Sequence, residues 1–184
     1  MNIKKLCVTA IFICAAACLS ALETILPPIV PIAGIRVGLG NIITLFVLYI
    51  GGSWRIPDAY IIAVLRCFLA ALITGSLLSA AYGLVGGVLA CTAMAVMRRI
   101  LPRKKDGTCA PDPQFLPFTA VAGAIFHIAG QTLTAILFYG SKYVLAYTPV
   151  LLASAIVGGL LTGFLTFLLL GKLPRKFIEN IKKS

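Results

Sequence analysis

Long apolar stretches alternate along this chain with short polar ones, and their length is that of membrane-spanning helices. They cover about 6–26, 35–50, 59–78, 79–97, 118–139 and 149–170. The second is short for a bilayer. Proline and glycine punctuate the breaks: Pro27, Pro28 and Pro31 precede the second stretch, and Gly51, Gly52 and Pro57 follow it. A few residues around Gly75 and Ser76 join the third to the fourth, and the Pro-rich run from Pro111 to Pro117 leads into the fifth. No repeat divides the chain. The pattern predicts an all-α membrane protein, a six-transmembrane-helix bundle forming one integral membrane domain over residues 1–184.

Charge orients that bundle. Of the 16 Lys and Arg residues, all but Arg36, Arg66 and Lys142 fall at the N-terminus, in alternate connections or in the tail. Translocated loops are poor in such residues, so the N-terminus and C-terminus are both expected in the cytoplasm, N-in and C-in. Composition agrees: 60% of the 184 residues are apolar and 11% charged, against about 25% charged in a soluble domain. The net charge of +11 sits at the ends of apolar segments rather than on a polar face, which favours lipid headgroups over nucleic acid. Lys4 and Lys5 ahead of Ala15-Ala16-Ala17-Cys18 imitate a lipoprotein leader. The run continues to Leu22, however, and predicts a retained first span.

Six cysteines show no C-x-x-C spacing, and five lie in apolar runs, so they read as small buried thiols rather than a disulfide or metal framework. Small residues recur at helical spacing, where they let helix backbones approach. The fourth span offers Gly83, Gly87 and Cys91, the sixth Ser154, Gly158, Thr162 and Thr166, and the first Ala17 with Ala21 as well as Ala10, Cys14 and Cys18.

A charge at the centre of a bilayer costs about 3 kcal/mol or more, so an intramembrane charge faces protein or a watered cavity. Arg66 shares a face with Ala63, Ala70 and Thr74 and is expected to point into the bundle, toward helix carbonyls, Glu23 or a substrate. Arg36 lies at the outer entry of the second span, where free helix amides favour an anion and the headgroups offer an equal anchor. His127 and Gln131 stand one helical turn apart and read as cavity lining or an interhelical hydrogen-bonding pair. Lys142 has a stem long enough to reach the headgroups.

Enzyme signatures are missing: there is no G-x-x-x-x-G-K-[ST] loop, no H-E-x-x-H pair and no G-x-S-x-G turn. Asp58, Asp106 and Asp112 stand apart, so no aspartate cluster holds magnesium against a prenyl diphosphate. No metal site and no cofactor is expected.

The stretch Gly34-Ile35-Arg36-Val37-Gly38-Leu39-Gly40-Asn41 resembles the signature of the bacterial Gx transporter family, whose members are often labelled heptaprenyl diphosphate synthase component I. The likeness extends through Leu65-Arg66-Cys67-Phe68-Leu69-Ala70, Tyr82-Gly83-Leu84-Val85-Gly86-Gly87, His127-Ile128-Ala129-Gly130-Gln131 and Gly158-Gly159-Leu160-Leu161-Thr162-Gly163. That family is similar in turn to the substrate-binding S components of energy-coupling-factor vitamin transporters. The resemblance implies a bacterial plasma-membrane protein with a pocket open to the outside, covered by the Pro27–Arg36 loop and lined by Asn41, His127 and Gln131. It also implies that Ala17 and Ala21 contact a coupling transmembrane subunit served by separate ATPases. The resulting expectation is uptake of a small, anionic or vitamin-like solute, with Arg36, Asn41, Arg66, His127 and Gln131 as candidate substrate-binding residues. The alternative is a non-catalytic membrane accessory subunit of heptaprenyl diphosphate synthase.

Overall fold

The computed structural model describes residues 3–25, 38–51, 54, 56–102, 112–174 and 178–181. Six α-helices dominate: α1 (Ile3–Ile25), α2 (Asn41–Ile50), α3 (Ile56–Thr74), α4 (Leu77–Ile100), α5 (Leu116–Tyr139) and α6 (Ser141–Lys172). Among the described residues there is no strand. Five of these helices are long and apolar enough to cross a membrane. Their outer faces are apolar as well: Leu72 on α3, Leu137 on α5 and Val157 on α6 are 79%, 78% and 69% exposed. A soluble protein does not present such a continuous greasy surface, whereas hydrocarbon accommodates it.

The short α2 differs from the other helices. At 1.5 Å per residue it spans about 15 Å, half a hydrocarbon core, yet all ten of its residues are buried. It is therefore an internal post, wrapped by its neighbours rather than by lipid. The largest core cluster forms around it, with Leu45, Phe46, Val47 and Leu48 of α2 against Ala16 of α1, Ile62 of α3, Ala90 and Met94 of α4 and Leu116 of α5.

Several boundaries move from their predicted places. The second helix starts at Asn41 rather than near residue 35, because Gly38 takes φ +81°, outside helical space, and Leu39-Gly40 form a turn. The sixth starts at Ser141 and runs through Pro149, which had been expected to open it. A proline inside a helix loses one backbone hydrogen bond, a loss that membrane helices tolerate when their surroundings compensate. The fifth is led in by a 3-10 turn at Pro113–Phe115, where the Asp112 carboxylate accepts from Gln114 N at 3.2 Å.

Glycine sets the closeness of α4 and α5. A Cβ on Gly130 would lie 2.7 Å from Gly86 Cα, so the two backbones touch where neither residue carries a side chain. The small stripe of the sixth span is internal, with Thr162 and Thr166 buried. Gly83 and Gly87 of the fourth face Cys67 of α3.

The cysteine expectation needs correction: Cys67 and Cys91 are buried, but Cys7, Cys14 and Cys18 are exposed on the outward face of α1, and Cys109 lies outside the described residues. The inward face of α1 carries Ala16, Ala17 and Ala21 instead, and these pack inside the bundle. Ala17 and Ala21, expected at a partner interface, are therefore covered by their own chain, 0% and 4% exposed.

One end of the bundle is closed by specific contacts. Lys5 Nζ pairs with Asp58 Oδ2 at 2.8 Å and lies over the Trp54 ring, whose Nε1 donates to the Ile181 carbonyl at 3.0 Å. Tyr49 and Thr119 share a hydroxyl–hydroxyl bond of 2.6 Å near the same end. The starts of α1, α3 and α5 and the end of α2 thus gather there.

Candidate functional site

Away from that closed end, α1 to α5 converge on a small polar cavity lined by Ser20, Glu23, Gly38, Arg66, Cys67, Ala70, Gly83 and His127. Arg66 is its centre. It lies about 15 Å along α3 from Ile56, too deep for its side chain simply to reach back to the headgroups, and it is 2% exposed. It points inward because α3 turns its small residues, Ala63, Ala70 and Ala71, into the bundle and its large ones, Leu65, Phe68 and Leu72, outward.

The guanidinium donates through Nη2 to Asn41 Oδ1 and through Nη1 to Ser20 Oγ at 3.4 Å. Both partners are neutral. Nε is buried with no hydrogen-bond partner among the described residues. Gly40 makes this contact feasible, since a Cβ there would collide with Arg66 Nη1 and Ser20 Oγ.

Glu23 supplies the negative charge at the cavity. Its carboxylate does not act as a distant counter-ion but accepts from two successive amides, Gly38 N at 2.5 Å and Leu39 N at 3.1 Å. These amides belong to irregular backbone just ahead of α2, where unsatisfied donors inside a bundle are costly. Asn41 N and Ile42 N in turn donate to the Gly38 and Leu39 carbonyls at 2.8 and 3.1 Å. The entry to α2 is thereby hydrogen-bonded on both sides.

His127 and Gln131 are joined directly, Gln131 Nε2 to His127 Nε2 at 3.1 Å, and both are buried. With the amide nitrogen as donor, Nε2 of the imidazole accepts and Nδ1 carries the proton. Gly86 on α4 leaves space for that ring: a Cβ there would lie 2.9 Å from His127 Nδ1. On the other side the ring approaches Gly38, so α2 and α5 meet across the cavity.

Four of the five residues singled out from the sequence thus fall into one neighbourhood: Asn41 with Arg66, and His127 with Gln131. Arg36 and the rest of the Pro27–Arg36 loop lie outside the described residues, as does the side chain of Lys142. Sequence reasoning did not single out Ser20, Gly40 or Gly86 for the site, and it did not foresee that Glu23 accepts from the Gly38 and Leu39 amides. Ser20 lies one turn before Glu23 on the helix, a spacing that signals a shared face.

The cavity itself is only about 20 Å³, room for about one water. Sites for drug-sized molecules are about 300 Å³ or more. In the described arrangement the polar groups hold one another, and a larger ligand enters only if some of them move.

These features define a helical protein with a buried polar chamber and a lipid-compatible exterior, of the multi-pass membrane class. The chain belongs to the heptaprenyl diphosphate synthase component I family, whose model matches residues 12–169. No curated protein and no solved structure matches it.

Proposed function

We propose that this chain is a non-catalytic, membrane-embedded component of a heptaprenyl diphosphate synthase system, a six-helix bundle with both termini in the cytoplasm. Membership of the component I family carries the reading. Of the aspartates, Asp58 is paired with Lys5 and Asp112 caps a 3-10 turn, while Asp106 lies outside the described residues. In this reading the carboxylates that grip magnesium and a diphosphate are supplied by a second chain.

Support for the orientation comes from the gathering of Lys5, the end of α4 with Arg98 and Arg99, and the end of α6 with Lys172 toward one end of the bundle. That basic end faces the cytoplasm and the soluble partner. Membrane-impermeant amine labelling from outside then reaches Lys142 and spares Lys104; the reverse pattern sinks the orientation. The function is tested by adding this chain, in lipid, to a soluble heptaprenyl diphosphate synthase subunit. Chain elongation rises on addition if the reading is right, and an unchanged rate overturns it.

A second reading, capture of a small solute from outside for an ATP-driven module, is favoured by one observation. Ser20, Glu23 and Gly38 place the polar cavity toward the end opposite Lys5–Asp58, the outer end in the proposed orientation. Recovery of coupling ATPases rather than a prenyl synthase subunit on affinity purification separates the two. In the second reading the cavity around Arg66 is the binding site.

A further inference from the structure

We infer that Glu23 occupies, from within the chain, the seat of a ligand's anionic group, and that binding proceeds by exchange of the ligand for this carboxylate. The inference rests on the cavity being a binding site, as the second reading above requires.

The seat is built for an anion with at least two acceptor oxygens. Gly38 N and Leu39 N converge on the two oxygens of Glu23, at 2.5 and 3.1 Å. The left-handed φ of +81° at Gly38 helps turn consecutive amides to one side, the geometry of a backbone anion nest. They stand immediately ahead of α2, so the positive end of its dipole adds to them.

Arg66 is the independent second element. It lines the same cavity and is 2% exposed; its terminal nitrogens are bonded to the neutral Asn41 and Ser20, and its Nε has no partner among the described residues. A buried guanidinium with neutral partners and one idle donor has capacity for a further anionic contact.

Size supplies the exchange step. A cavity of about 20 Å³ admits a water but not a carboxylate or phosphate alongside the Glu23 side chain. Glu23 is partly exposed in the last turn of α1, so a change of its side-chain rotamer frees the amides without breaking that helix. The ligand class is a small carboxylate, or the phosphate or diphosphate head of a larger molecule.

The test uses the full chain in lipid nanodiscs, with acetate and inorganic diphosphate as probes and binding read by calorimetry. Glu23→Gln keeps the shape but removes the internal anion, and Glu23→Asp keeps the charge but shortens its reach. If the internal carboxylate holds the seat nine-tenths of the time, Glu23→Gln tightens the apparent Kd about tenfold and Glu23→Asp by less. Unliganded melting shows whether each variant folds; if the Gln variant does not, the Asp variant carries the test through the same gain in affinity. Tightening for diphosphate alone points to a phosphorylated ligand, and for acetate alone to a carboxylate, each supporting exchange. Equal or weaker binding in the variants, with measurable binding in the wild type, overturns the exchange and leaves the site standing. No binding of either anion in any form removes both.

Discussion

The two ends of this bundle are closed by different means. At the Trp54 end, an apolar core and a few well-matched bonds seal the structure: Trp54 to the Ile181 carbonyl, Tyr49 to Thr119, and Lys5 to Asp58. At the Arg66 end, closure falls to polar groups that occupy one another, with Asn41 on Arg66, Glu23 on the Gly38 and Leu39 amides, and Gln131 on His127. Removing a contact from the first kind of closure loosens packing. Removing one from the second leaves a buried charge or donor exposed to whatever ligand can replace it, which is how a structural knot differs from a site.

Asn41→Leu breaks the polar end most severely. It deprives Arg66 of its closest acceptor and is expected to lower stability by about 3 kcal/mol, read by thermal or denaturant unfolding in detergent. Gly130→Ala comes next, because its Cβ would press on Gly86 at 2.7 Å and spread α4 from α5; about 2 kcal/mol is expected. That variant also shifts His127, which packs on Gly86, so ligand affinity falls along with stability.

Tyr49→Phe probes the opposite end. It deletes the bond to Thr119 and costs about 1 kcal/mol while leaving ligand affinity unchanged. A loss of binding there would erase the distinction between the two ends. Gln131→Leu has the smallest expected stability cost, about 0.6 kcal/mol, typical of one hydrogen bond between membrane-helix side chains. Its effect on ligand affinity is expected to exceed that of Tyr49→Phe, because it frees the imidazole to change tautomer inside the cavity. Stability and affinity should therefore rank these two variants in opposite orders.

Much of this was legible in the sequence. The greasy stretches fixed the helical class, and the rarity of intramembrane charge drew attention to Arg66, which the small face of α3 turns inward. His127 and Gln131 were readable as a pair from their one-turn spacing. The entry to α2 was less legible, since nothing in local pattern shows that Gly38 leaves helical space or that an internal carboxylate receives its amide. Which side of α1 is covered was not legible either: Ala17 and Ala21 alternate with Cys14 and Cys18 around one helix, and only packing within the bundle decides that the alanines are buried. The sixth apolar stretch begins at Pro149, whereas the helix begins at Ser141 and carries that proline internally.

The most direct test of the Arg66 cavity as a binding site is native mass spectrometry of the chain extracted from its own membrane. Wild type and Tyr49→Phe are predicted to carry the same added mass, and Arg66→Gln to lose it. No added mass on the wild type, or the same mass retained by Arg66→Gln, would contradict the account.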